Sequence, residues 1–213
     1  GLLALHGLKV KVNRDFLGRL EHLRTWKGKP LGRETQGELR RECGRLKLVE
    51  EQIRELERAA EEEVEAARED PGKASPALRK VVALKQLRGV NESAWPLVRE
   101  FFGWREFRNR REVGSLAGLT GTPYQSGDTS RDLGISKAGN RRIRALMVEL
   151  AWGWLRYQPH SKLSVWYQER FGAVGKRNRR VGIVALARKL LVALWKYVEN
   201  SELPEGAELK AGA

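Results

Sequence analysis

With 213 residues, 41% of them apolar, the chain is long enough to bury a core and to hold one domain plus an appendage. A formal charge of +14 and an isoelectric point near 10.3 point to a polyanionic partner, of which nucleic acid is the commonest. A single cysteine, Cys43, excludes an internal disulfide or a paired-cysteine metal knuckle, and the apolar run "VGIVALA" at 181–187 is far short of the ~20 residues of a membrane span.

The charge is unevenly placed. Residues 1–80 carry 18 Lys and Arg against 15 Asp and Glu, whereas residues 131–191 carry 14 against 3. An excess gathered into one stretch is an electrostatic footprint rather than a general solubility charge. His6, His22 and His160 lack the spacing of a zinc site.

The opening "GLLALHGL" starts at Gly1 rather than Met and has no basic lead, so the expectation is a chain that begins inside a larger protein. From Arg33 to Glu69 the spacing predicts a helix. Leu39, Leu46, Ile53, Ala60 and Ala67 recur every seven residues, and Val49 and Leu56 stand three residues after two of them. Such a seam would make a rod roughly 45 Å long over some 30 residues. Its glutamate-dense faces repel nucleic acid, which leaves two readings: a coiled-coil arm for self-association, or a surface helix packed on its own domain. Pro71 and Gly72 in "EDPGKASP" then mark a linker, dividing the chain into 1–70 and 73–213.

Helices are predicted from Pro76 and, after a break at Gly89, from Asn91 or Ser93. Helix, glycine turn, helix fits a helix-hairpin-helix, whose turn amides approach a phosphate backbone, and fits an ordinary helical hairpin equally. Residues 117–135 are rich in Gly, Ser, Thr and Asp, cannot hold a long helix, and read as a long functional loop. Ser136 reads as the cap of a helix running to about Gln158, which Pro159 ends. A short helix and the basic turn "GAVGKRNRR" precede a last apolar helix that is expected to be largely buried. Trp152, Trp154, Trp166, Trp195 and Tyr167 read as core, and the tail from Ser201 as frayed. The fold class is mainly α: a long helical (coiled-coil) arm, then a compact helical domain with a helix-hairpin-helix-like entry and a long serine-bearing loop.

Ser126, between Gln125 and Gly127, is the candidate nucleophile. An unactivated serine needs a base, or cations around its electrophile. The pattern G-x-S-x-G is absent, since Tyr124 and Asp128 stand where glycines belong, and the nearest candidate base, His160, lies beyond a full helix. A hydrolase triad is therefore disfavoured, and the absence of a Walker pattern leaves triphosphate hydrolysis unsupported. Phosphoryl transfer suits the charge better, because arginine offers bidentate donors to phosphate oxygens. On a helix from Ser136, Lys137 would lie in the first turn, Asn140 and Arg144 would share a face, and Arg141 and Arg142 would flank it. Lys176, Arg177, Arg179 and Arg180 repeat the arrangement before the last helix. With Arg131 on the loop, these are the candidate nucleic-acid-binding residues; no metal ligands are assigned.

The segments "EFRNRREVGSLAGLTGTPYQSGDTSRDLGISKAGNRRIRALMVELAWGWLRYQP" and "GKRNRRVGIVALARKLLVALWKY" closely resemble the C-terminal domain of the serine-using insertion-sequence transposases. Those enzymes carry a RuvC-like DEDD domain, are related to the Piv-type DNA invertases and include the bridge-RNA-guided recombinases. The likeness extends over roughly 80–208, and residues 1–70 look like the end of the RuvC-like region and its helical arm. The resemblance implies that Ser126 becomes joined to DNA through a phosphoserine link. It also implies Mg2+ held by an acidic quartet on a different subunit, a homo-oligomer, a structured guide RNA in some members, and a prokaryotic cytoplasmic setting near the nucleoid.

Two departures matter. The quartet would lie upstream of Gly1, and Asp128 and Asp132 are poor substitutes on a loop amid cations. Asn91 in "LRGVNESAW" stands where relatives commonly have the last glycine of a Gly-Ile-Gly hairpin. The expectation is that the complete enzyme cleaves and rejoins DNA while this chain alone binds without cutting. The second reading is a truncated remnant that only binds DNA or RNA.

Overall fold

The computed structural model describes residues 2–13, 15–126 and 129–210, with the side chains of 123–133 outside that description. The chain divides into two units, Gly1–Glu62 and Glu63–Ala213.

In the first unit, helices α1 (Leu2–Leu5) and α2 (Phe16–Arg19), with a 3-10 turn over Leu20–His22, precede the long helix α3 (Arg33–Glu69). Phe16, Leu20 and Leu31 bury against the Leu39 and Cys43 face of α3. The predicted helix bounds are those observed. The heptad stripe is not covered along its length: Leu46, Val49, Ile53 and Leu56 remain 46 to 71% exposed.

The second unit takes in the end of α3, whose Val64 is fully buried, and is built around one apolar core. Helix α4 (Pro76–Gln86) starts where Ser75 accepts a hydrogen bond from the Leu78 amide and Pro76 occupies the first turn, where a missing N–H costs nothing. The chain turns at Gly89, where a φ of +84° and a Tyr157 Cβ that would lie 2.9 Å from any added Cβ both favour glycine. A 3-10 turn (Asn91–Ser93), helix α5 (Ala94–Leu97) and a π turn (Val98–Phe102) follow. The π turn, closed by the Gly103 amide on the Val98 carbonyl at 2.7 Å, carries consecutive Phe101 and Phe102 into the core with rings edge to face at 5.3 Å. This is the predicted helix–glycine turn–helix, and its turn is closed internally: the Arg88 amide donates to the Glu208 carbonyl.

Helix α6 (Arg110–Leu116), capped by Asn109, leads into an antiparallel pair, β1 (Gly121–Ser126) and β2 (Thr129–Ile135). The long loop predicted for 117–135 is thus a hairpin. Thr and Tyr favour extended backbone, and a two-residue Gly-Asp insert between such runs is a hairpin signal. Helix α7 (Arg141–Tyr157) begins at Asn140, not at Ser136, and α8 (Lys162–Phe171) and α9 (Lys176–Asn200) complete the unit. Helix α9 packs on α4, α6, α7 and α8. Trp154 and Tyr167 are buried and Trp166 and Trp195 are partly so, as expected of core residues, but Trp152 is 48% exposed.

The tail is not frayed through residue 210. Buried Gln158 donates from Nε2 to the carbonyls of Arg88 and Glu208, at 3.0 and 2.8 Å, and accepts the Glu208 amide at 2.7 Å. A buried amide leaves groups that must be paired, and the returning tail pairs them.

Candidate nucleic-acid interface

The hairpin rises from a crossing of two backbone segments, 116–120 and 136–140. The Ser136 amide donates to Thr120, Lys137 to Gly118 and Asn140 to Leu116, at 2.8, 3.3 and 2.7 Å. The approach is so close that a Cβ on Gly118 would lie 2.3 Å from the Ala138 carbonyl oxygen, and one on Gly139 2.2 Å from that of Leu116. Both glycines have positive φ, as does Lys137 at +55°. The Arg144 guanidinium closes the crossing, donating to the Lys137 carbonyl at 3.0 Å and reaching that of Ala117 at 3.4 Å.

Along the hairpin, Tyr124 pairs with Arg131 and Ser126 with Thr129 through the backbone. The Ser126 and Arg131 side chains lie outside the described residues. Ser126 ends β1, about 17 Å along the strand from Gly121 at about 3.3 Å per residue.

The basic start of α7 is largely engaged within the protein. The Asn140 side chain accepts from the amides of Arg142 and Ile143 and caps the helix. Arg142 reaches Glu100 at 3.3 Å, and Arg144 holds the crossing. Arg141 is exposed. On the other basic segment, Arg179 donates to the Gly172 carbonyl, and its own carbonyl accepts the Tyr167 hydroxyl at 3.3 Å. Burial raises the Tyr167 phenol above the ordinary tyrosine value, opposed by the neighbouring Arg179 cation.

Four of the predicted residues, Lys137, Lys176, Arg177 and Arg180, line one groove of about 1370 Å³ that runs along α9. Sequence reasoning missed its other cations: Arg110 and Arg111 on α6, Lys162 on α8, and Arg188, Lys189 and Lys196 on α9. The signal was helical spacing. Residues 177, 181, 184 and 188 share a face, and Arg188 and Lys189 interrupt an otherwise apolar run. That face is open: Val181 is 61% exposed and Arg188 and Lys189 are exposed, while Gly182, Ile183, Leu186 and Leu190 turn into the core. The last helix, expected to be largely buried, is therefore buried on one side only. Two carboxylates, Glu202 and Glu205, sit at one end of the groove and pair with Lys196 and Lys162 at 2.8 and 2.7 Å. The groove's wall also includes Gly121, Gly134 and Ile135, the base of the serine-bearing hairpin.

Among the described residues, no group of three or more His, Cys, Asp or Glu side chains is placed to hold a metal ion. No helix among them is long and apolar enough to cross a membrane.

Comparison with known proteins bears on this surface. Residues 83–165, from α4 through the hairpin and α7 into α8, match the family described as Transposase IS116/IS110/IS902. The chain is 42% identical over 224 aligned positions to the "Putative transposase y4rJ" of Sinorhizobium fredii (strain NBRC 101917 / NGR234), covering 99% of this chain and 54% of that protein. It is 29% identical over 99 positions to the transposase for insertion sequence element IS1111A of Coxiella burnetii (strain RSA 493 / Nine Mile phase I), covering 46% of this chain and 26% of the relative. The chain thus spans about half the length of the y4rJ protein. Residues 83–165, the segment that holds the glycine crossing and the serine-bearing hairpin, are therefore the part of this chain that is similar to the IS116/IS110/IS902 transposase family.

Proposed function

We propose that this chain is the DNA-gripping, serine-bearing part of a transposase that cleaves and rejoins DNA. The observation that carries the reading is the α9 groove, where ten cationic side chains meet two carboxylates and the wall is continuous with the base of the hairpin that bears Ser126. Arginines on such a wall neutralise phosphate oxygens and hold a phosphodiester in place, which is most of what phosphoryl transfer asks of a protein.

In this reading the Ser126 Oγ attacks phosphorus. An Oγ–P bond forms, the bond from phosphorus to one deoxyribose oxygen breaks, and the serine proton ends on that oxygen as a free hydroxyl. Attack by a deoxyribose hydroxyl on the phosphoserine reverses the step and rejoins a strand. The resemblance implies magnesium held by an acidic quartet of another domain, and this reading leaves the metal to that quartet.

The test is a covalent adduct. The protein extended to the length of its relatives, incubated with DNA and magnesium, should yield a denaturant-stable protein–DNA species that Ser126→Ala abolishes while binding persists. An adduct in that variant removes Ser126 from the chemistry. Binding with no adduct in either protein supports the remnant that only binds.

Self-association through α3 belongs to the same proposal, since Leu46, Val49, Ile53 and Leu56 form an apolar stripe at a and d spacing that stays exposed. Replacing Ile53 and Leu56 with Glu should lower the mass measured by light scattering toward that of a monomer; an unchanged mass places any self-association elsewhere.

A further inference from the structure

Resting on the nucleic-acid reading of the groove, we infer that its occupant is an unpaired DNA strand, phosphates on the cationic rim and base faces on an aliphatic floor.

The floor decides between single strand and duplex. Between Arg180 and Arg188, α9 presents Val181, Val184 and Ala185 to the groove, and Val192 and Ala193 continue the line toward Lys196. A duplex shows a protein phosphates and sugars on its outer surface and base edges only in its grooves. It would meet the arginines and leave these aliphatic side chains facing water. An unpaired strand exposes flat, apolar base faces, and proteins that hold such strands combine a cationic groove with side chains, most often aromatic, on which the bases pack. Here Val181, Val184 and Ala185 offer apolar surface at that position. The groove-lining face from Lys176 to Lys196 is about 30 Å long at 1.5 Å per residue, enough for a run of several nucleotides.

The same lining argues for DNA over RNA. Among the described residues it holds no Ser, Thr, Asn or Gln to engage a 2′-hydroxyl, and its two carboxylates are already paired with Lys162 and Lys196. Lys189 Nζ sits 4.6 Å from the centre of the Trp166 ring, and Phe171 meets that ring edge to face at 5.8 Å. Trp166, which also lines the groove, is therefore held in place by its neighbours, and valines and alanines make up the floor along α9. Aliphatic surface favours the thymine methyl, which uracil lacks.

The uncommitted cations lie where phosphates would run. Arg110, Arg111, Arg177, Arg180 and Arg188 make no ion pair among the described residues, whereas Lys162 and Lys196 do. The strand is thereby placed toward the α6 and hairpin side of the groove, away from the acidic tail. Helix α9 lies beyond the 83–165 family match, so this floor is a property of the chain and not of the matched segment.

The experiment measures binding of the chain by fluorescence anisotropy to labelled oligo-dT of about 12 nucleotides, within the range of known single-strand sites. A mixed-sequence duplex and an oligo-U of equal length serve as rivals, each titrated at several salt concentrations. Oligo-dT should bind about 10-fold more tightly than either rival. Val181→Ser removes aliphatic surface from a residue already 61% exposed, so the fold is retained; it should lower oligo-dT affinity about 5-fold with the salt slope unchanged. Joint Arg180→Ala and Arg188→Ala should weaken binding and reduce the slope by about 0.7 per lost single-strand contact. If the arginine changes alter neither affinity nor slope, the groove is not the polyanion site and the functional reading fails with it. If they act as expected while duplex binds as tightly as oligo-dT and Val181→Ser is inert, the groove stands and the unpaired-strand inference is overturned. Tighter binding of oligo-U overturns the choice of DNA.

Discussion

Two basic segments of this chain look alike as strings and differ as structures. "SKAGNRRIR" at 136–144 and "GKRNRR" at 175–180 both crowd cations at a helix start, and both were candidates for gripping phosphate. In the first, Asn140 caps the helix, Arg142 faces Glu100 and Arg144 ties together the crossing beneath the hairpin. In the second, Arg179 is the one cation engaged through its side chain among the described residues, and Lys176, Arg177 and Arg180 open on the groove. A cation is available to a ligand only if the fold leaves its donors unclaimed, and the guanidinium, with five donors, is as suited to backbone carbonyls as to phosphate.

Four measurements would sharpen or break that contrast. The largest effect is expected at Gly139→Ala: φ of +112° and a carbonyl 2.2 Å from the new Cβ leave it no room, so the crossing must open. A loss of about 3 kcal/mol in denaturant unfolding is expected, and an unchanged midpoint would mean that the two segments do not cross as described. Next is Arg144→Ala, which orphans the Lys137 and Ala117 carbonyls. It should cost about 2 kcal/mol of stability with the salt slope for DNA binding unaltered. A lowered slope with full stability would put Arg144 among the phosphate ligands and erase the distinction between the two segments.

Arg177→Ala with Arg180→Ala should do the reverse. Melting should be unmoved, while affinity for duplex DNA falls about 10-fold and the slope drops by about 0.9 per lost contact. Loss of stability without loss of binding would reverse the assignment. The smallest effect belongs to Arg142→Ala. Its partner Glu100 is 29% exposed but Arg142 itself is 85% exposed, and so open a pair is worth about 0.5 kcal/mol or less. A calorimetric shift well beyond that would show that the start of α7 is more rigidly built than its exposure implies.

Much of the fold was legible in the residues. Helix α3 shows its full length through a seven-residue period, and α4 is announced by Ser75 and Pro76, because caps and periodicity are local signals. The misreadings occurred where a long-range partner overrode the local pattern. Ser136 is a good cap in isolation, yet its amide is drawn to Thr120 and the helix begins four residues later. The tail looks frayed until Gln158 is found buried and in need of it. The hairpin was missed for a different reason: Gly127 and Asp128 between two Thr-containing runs are a recognised signal, outweighed by the glycine content of the whole stretch.

For the candidate site, the sequence named four of the groove's ten cations. Lys176, Arg177 and Arg180 were found as a contiguous cluster, because adjacency along the chain is visible in a string. Arg110, Arg111 and Arg188 were not, since two helices, α6 and α9, bring them together from positions nearly eighty residues apart. The sequence by itself determined that this protein is mainly helical, that its positive charge is concentrated and that a serine-bearing glycine-rich stretch accompanies it, all of which are composition and short-range spacing. Only the tertiary structure decided which cations are free and what lies between them. That is a question of which donors the backbone has already claimed and which face of α9 the core has left uncovered.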